Sequence, residues 1–220
     1  MTPFNVVKEK QAHIALEALR ANRMAAYYVP TAAEVVPLVR SLLHEGDSIA
    51  VGGSVTLDET GVSELIRSSE YRFIDRYEAG ISPEEAAQRM RQGLLADTFL
   101  TSANAITLNG ELYNVDGRSN RVAAIAFGPK QVIVVAGINK LVPTLEDAIT
   151  RVKTSAAPPN VERLHCQTGC AETGVCVGYK GGMTAGCRNE GRICCSYLVS
   201  AMQREKDRIK VILVGEPLGY

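Results

Sequence analysis

Short apolar runs recur along this chain, and most are followed by a stretch with helical spacing. The runs are AAYYV (25–29), SIAVG (48–52), RFID (72–75), TFLTS (98–102) and QVIVVAG (131–137). A strand that is apolar at nearly every position must be covered on both faces. Strands separated by helices pair in parallel, because a helix carries the chain back to the same end of the sheet. The expected fold class is therefore α/β: a mainly parallel sheet with helices on both faces. KVILVG (210–215) reads as a further strand that returns to the same sheet.

Local signals punctuate this pattern. Residues 5–22 carry Val6, Ala12, Ile14, Leu16 and Leu19 at a helical period. Thr31 and Glu34 have the spacing of a capping box, and Pro37 predicts a kink or a late start in the helix that follows. A helix is expected from Ser54 to about residue 67. Ser82-Pro83-Glu84-Glu85 is a helix start, as is Thr144 with the acids after it. AITL (105–108) and ELYNV (111–115) flank Asn109-Gly110, which predicts a β-hairpin with a two-residue turn. Residues 118–127 read as a short helix or an irregular segment. Ala156-Ala157-Pro158-Pro159 reads as a boundary before a cysteine-rich segment at about 160–200. Because KVILVG follows that segment, residues 1–220 are expected to form one α/β domain with a cysteine-rich C-terminal insertion.

Lys and Arg number 24 and Asp and Glu number 24, so no global basic field draws nucleic acid or anionic lipid. There is no run of about 20 apolar residues and no secretory leader pattern at the N-terminus. No membrane span and no nucleic-acid partner are expected, and the cytoplasm is the expected location.

Gly52-Gly53-Ser54 follows a strand and opens a helix. That loop is either a backbone cradle for an anion or a tight turn that needs glycine for packing. It is neither a Walker loop nor a dinucleotide fingerprint. Thr56, Asp58 and Glu59 come next. The two carboxylates are candidates for acid, base or nucleophile, or else they decorate an exposed first turn. Asn104, Asn114, Asp116, Gly117, Asn120 and Arg121 form a polar cluster after two strands. They either make turns or line a cleft in which Arg121 offers a forked donor to a carboxylate or phosphate. Asn139-Lys140 follows QVIVVAG, at the strand ends where ligands gather in such sheets. Lys140 is either an anion partner or a solvated surface lysine. No Ser-His-Asp set is evident.

All six cysteines lie between Cys166 and Cys195, among seven glycines. In a reducing compartment that clustering favours metal or redox chemistry over a disulfide framework. Thiolates bind zinc or an iron–sulfur cluster, and the spacing does not separate the two. His165, next to Cys166, is a weaker candidate ligand.

Three segments resemble the LUD (lactate-utilization) family: VGGSVTL (51–57), the block from Thr101 to Ala148, and the tail containing Arg192-Ile193-Cys194 and RIKVILVGEPLGY (208–220). The resemblance implies a Rossmann-like fold akin to the sugar-phosphate isomerase and CoA-transferase superfamily, which binds phosphorylated or acyl substrates. It also implies a cysteine pattern like CA-x-TG-x-C followed later by RIC. On that match the metal candidates are Cys170, Cys176, Cys187 and Cys194, with Cys166 and Cys195 as spares. This chain departs from the pattern where Tyr179 stands in place of a third closely spaced cysteine. The implied function is an accessory or redox-linked component of lactate oxidation, binding a small anionic ligand and working with redox protein subunits. Two alternatives stand beside it: an acyl- or CoA-transferase or phosphosugar isomerase using Asp58 or Glu59, and a zinc-stabilised regulatory binding module.

Overall fold

The protein, described by a computed structural model over residues 3–68 and 70–220, is built on two sheets. Its strands are β1 (Ala25–Val29), β2 (Ser48–Val51), β3 (Arg72–Phe73), β4 (Thr98–Thr101), β5 (Ala105–Thr107), β6 (Leu112–Asp116), β7 (Gln131–Gly137), β8 (Leu141–Val142), β9 (Ser196–Ser200) and β10 (Ile209–Val214). Six of them, in the order β1-β10-β7-β4-β2-β3, form a sheet in which every pairing is parallel. The other four, in the order β8-β5-β6-β9, form a smaller mixed sheet. The α-helices are α1 (Pro3–Ala21), α2 (Val35–Leu42), α3 (Val55–Glu59), α4 (Val62–Leu65), α5 (Pro83–Gln92), α6 (Asn120–Ala126), α7 (Leu145–Arg151), α8 (Ala157–Arg163) and α9 (Gly169–Thr173).

Side chains alternate across a strand, and β7 uses both of its faces. Val132, Val134 and Ala136 pack in one core with Ala12, Leu16 and Leu19 of α1. Ile133 and Val135 pack in the opposite core with Val35 and Val39 of α2 and Leu57 of α3. β10 does the same with Val211 and Leu213 on one side and Ile212 and Val214 on the other. Burying each such side chain contributes roughly 2 kcal/mol, so the two-faced strands in the middle anchor the sheet. A third core joins the small sheet to the later helices, with Tyr113 and Val115 against Ala148 and Val152. The α/β class and the parallel sheet with helices on both faces are as the residue pattern implies, and KVILVG does return to the main sheet.

Several local expectations are corrected. Thr31 and Glu34 bond each other through their side chains, Oγ1 to Oε1 at 3.0 Å, and Thr31 makes no side-chain bond to the backbone, so no capping box forms. A 3₁₀ turn, Ala32–Glu34, precedes α2, which gives the late start that Pro37 implies. The helix after Ser54 breaks into α3 and α4 at Thr60-Gly61. The RFID strand shortens to Arg72–Phe73. The hairpin is not a two-residue turn: Gly110 alone is left-handed (φ +77°), with Gly110 N–H donating to Thr107 O and Thr107 N–H donating to Glu111 O. That is a three-residue loop closed by a glycine bulge. Ala156–Pro159 is no linker either. It lies within one continuous helical run in which a π-helical stretch, Val152–Ala156, joins α7 to α8 and leaves both prolines in the first turn of α8.

Candidate functional site

β7, β4 and β2 are neighbours in the sheet, and all three release the chain on the same side. Ser102 follows β4, the Gly52–Ser54 loop follows β2, and Lys140 follows β7. A cleft of about 530 Å³ opens there, at the carboxyl ends of a parallel sheet. Among the residues singled out from the sequence, Gly53, Ser54, Thr56, Asn104, Asp116, Gly117, Asn120, Arg121 and Lys140 line it. Gly52 and Asn114 stand just behind the wall. A Cβ on Gly52 would lie 2.7 Å from Arg121 Cδ and 2.9 Å from Thr101 Oγ1, so glycine is what lets Arg121 lie flat against β2.

Lys140 is not a surface lysine. It is 3% exposed, and its Nζ donates to Thr56 Oγ1 and to Ser102 Oγ, both at 2.8 Å. The two hydroxyls in turn face carbonyls: Thr56 Oγ1 donates to Leu218 O and Ser102 Oγ to Ala103 O, each at 3.5 Å. Burial lowers the pKa of Lys140 from 10.5 to about 7, and Arg151 and Arg121 push it the same way while Glu59 opposes them.

Arg121 is held in a net of oxygens. Its Nη1 donates to Asn114 Oδ1 (2.7 Å) and Ser102 O (3.3 Å), and its Nη2 to Val115 O (2.6 Å) and Asn104 Oδ1 (2.9 Å). Asp116 Oδ2 accepts from the Arg121 and Val122 backbone N–H groups at 2.8 and 3.2 Å, fixing the start of α6. Behind it, Arg151 donates to Asn104 O at 2.6 Å and Asn139 O at 3.1 Å. Desolvation lowers the pKa of both guanidinium groups, which remain charged. Among the described residues none of Lys140, Arg121 and Arg151 forms an ion pair with a carboxylate. Arg76, Arg118 and Arg163 add positive charge to the lining, and Asp116 is the acidic side chain there. The side-chain amide nitrogen of Asn114 is buried with no hydrogen-bond partner.

The other polar residues read from the sequence serve structural ends. Ser54 accepts from Leu57 N–H at 3.3 Å and caps α3. Asp58 is exposed and accepts from Ser63 Oγ at 2.5 Å, and Glu59 accepts from Gly219 N–H at 2.7 Å. Neither carboxylate lines the cleft. Asn139 holds the backbone of Leu218 and Gly219 through its amide.

Cys170, Cys176, Cys187 and Cys194 line a second, smaller cavity of about 30 Å³. Cys166 lines the large cleft instead, and Cys195 is exposed with its Sγ facing Arg192 O. His165 is not part of either lining. Burial, with Cys176, Cys170 and Cys187 nearby, pushes the Cys194 thiol up to about 12 against the opposing pull of Arg192. Four soft donors around one cavity suit an inorganic centre in kind. Among the described residues, however, no group of three or more possible ligand side chains stands close enough to hold a metal ion.

Two cations shape this segment. Lys153 Nζ donates to the carbonyls of Gly178, Gly181 and Gly182 at 2.6–3.1 Å. Arg192 donates to those of Cys187, Cys194 and Thr184 at 2.7–2.8 Å. The two cavities share a wall made by Val152, Ala157, Ile193 and Cys194. Sequence reading missed Ser102, Arg151, Lys153 and Arg192. Ser102 carried a signal, since a small polar residue directly after a buried strand sits where ligands gather; the three cations look in sequence like ordinary surface charge.

Solved structures similar to this chain include two of low sequence identity. A DUF162 family protein from Deinococcus radiodurans is 16% identical, with a TM-score of 0.50, and the match covers 94% of this chain and 98% of that one. It supports the fold. eIF2B beta from Chaetomium thermophilum is 18% identical over 53% of this chain and 44% of its own, with a TM-score of 0.35. No curated protein gives a significant match. The sequence pattern of the LUD domain matches residues 12–214, nearly the whole chain, and the protein accordingly belongs to the LUD domain, lactate-utilization-type, family.

Proposed function

We propose that this LUD-domain protein binds a small anionic ligand, a carboxylate or a phosphate, in the cleft at the ends of β2, β4 and β7, as an accessory or redox-linked component of lactate oxidation. The observation that supports it is buried guanidinium charge with no ion-paired carboxylate at Arg121 and Arg151, beside the buried amine of Lys140. Burying such charges is costly unless a counter-charge arrives, and an anion in the cleft supplies one. Titration calorimetry with lactate, pyruvate and inorganic phosphate tests the reading. At least one should bind, and Arg121→Gln should weaken it by about tenfold or more, the scale of losing a buried charge close to the anion. Absence of binding by all three at millimolar concentration would refute it.

In the same reading Cys170, Cys176, Cys187 and Cys194 hold one iron–sulfur or zinc centre. Burial favours the neutral thiol at Cys194, and a bound cation would supply the charge that lets it ionise. When bound, iron–sulfur would supply one-electron transfer and zinc a structural cross-link. Metal analysis of anaerobically prepared protein decides: less than about a tenth of an equivalent of iron plus zinc ends this part of the proposal.

A further inference from the structure

A protonated lysine has three N–H bonds to place, and a neutral one has two N–H bonds and a lone pair. Lys140 has two acceptors among the described residues, Thr56 Oγ1 and Ser102 Oγ, and each of those hydroxyls commits its own hydrogen to a carbonyl. That arrangement satisfies a neutral amine in full. It leaves an ammonium with one N–H unpartnered in a buried position. The third tetrahedral direction of the nitrogen is thus the lone pair, at a residue that lines the cleft. Gly219 keeps space beside the amine free, since a Cβ there would lie 3.4 Å from Nζ. The burial that lowers the pKa of Lys140 to about 7 favours the same neutral form. Such an amine is a nucleophile for carbonyl carbon, and the arginines around it favour a carbonyl compound that carries an anionic group.

We propose that Lys140 captures the carbonyl of a small anionic substrate, a 2-oxo acid or a phosphorylated aldehyde or ketone, as a covalent imine. The inference rests on the anion-binding reading of the cleft. In the first step the lone pair on Nζ forms a bond to the carbonyl carbon and the C=O π pair moves to oxygen. The oxygen takes up a proton and the nitrogen gives one up, which yields a carbinolamine. Loss of that oxygen as water leaves the C=N bond. No oxidant or reductant takes part, and hydrolysis reverses the sequence.

The test is reductive trapping. The full chain is incubated separately with pyruvate and with dihydroxyacetone phosphate in the presence of sodium cyanoborohydride, which reduces a protonated imine to a stable secondary amine. Peptide mapping by mass spectrometry then locates the adduct. The expected result is labelling of Lys140 by at least one probe, more than about tenfold over exposed Lys130, whose side chain is 88% exposed. The labelling rate should rise between pH 6 and pH 8 and then level off, whereas a surface lysine with a pKa of about 10.4 keeps gaining. Lys140→Arg should abolish the adduct. Mapping of the unaltered protein decides even where that variant fails to fold. The pyruvate and phosphate-ester arms separate the two substrate types. Calorimetric binding of either probe with no adduct at Lys140, or with adducts spread over surface lysines, overturns the imine and leaves the anion cleft standing. Absence of both binding and adduct overturns the two together.

Discussion

Lys140→Met isolates the energetic consequence of burying an amine. The pKa of Lys140 falls from 10.5 to about 7, and at about 1.4 kcal/mol per unit the protonated group costs the fold about 5 kcal/mol. The folded-state value lies below the unfolded one, so the unfolded chain holds the extra proton between about pH 7 and pH 10.5. Stability contributed by this site therefore rises with pH through that window. The full cost applies below about pH 7, and only about 2 kcal/mol of it remains at pH 9. Methionine keeps the stem and removes the charge. It also strands the Thr56 and Ser102 hydroxyls, a loss of about 1 kcal/mol for each hydrogen bond at every pH. The variant should thus be about 3 kcal/mol more stable than the unaltered protein at pH 6 and about equal to it at pH 9. Urea unfolding of both proteins at the two pH values measures this, in buffers free of phosphate and carboxylate that would neutralise the cleft. A difference that stays constant within about 1 kcal/mol across that range would refute the reasoning, because every other titrating group cancels between the two proteins.

Gly110→Ala puts a Cβ 2.6 Å from Ala18 C and Leu19 N in a left-handed residue, and should cost more than about 2 kcal/mol in thermal unfolding; an unchanged midpoint would contradict the close approach of the hairpin to α1. Thr144→Ala removes the capping box that Thr144 and Asp147 form at α7 and should cost about 1 kcal/mol by the same measurement, with no loss being the contrary result. Cys176→Ser should lower the metal content of anaerobically prepared protein and speed amide exchange over residues 165–200 while the parallel sheet stays protected; equal metal content in both proteins would exclude Cys176 as a ligand.

β7 and β10 are legible in the sequence because each is apolar at consecutive positions, which suits a strand buried on both faces. β8 and β9 are not. Leu141-Val142 is too short to show a period, and Ser196–Ser200 gains its identity from pairing with β6, some eighty residues earlier. Thr31 and Thr144 begin with the same local chemistry and end differently. Asp147 is short enough to reach back to the Thr144 N–H, whereas Glu34 meets the Thr31 hydroxyl instead. At the site, the positions of the Gly52–Ser54 loop and of Lys140 follow from where their strands end. The burial of Lys140 does not, since it depends on Thr56 and Gly219, both about eighty residues away. Likewise the gathering of four cysteines around one cavity depends on Lys153 and Arg192 collecting carbonyls, and nothing in the spacing of the cysteines indicates it.

The position of β10 sets an order of assembly. β1 pairs with no strand of the sheet except β10, and β10 bridges it to β7. A nascent chain that has emerged only as far as the cysteine segment can pair β7 with β4 and β2, but its N-terminal strand has nowhere to dock. β1 waits for a partner some 180 residues later, and closing so long a loop is entropically slow. The cysteine-rich excursion does not wait in the same way, because the strand that closes it, β9, pairs with β6 and is complete before β10 begins. A chain interrupted before Ile209 would thus keep every residue that lines the thiol cavity and leave β1 without a partner strand.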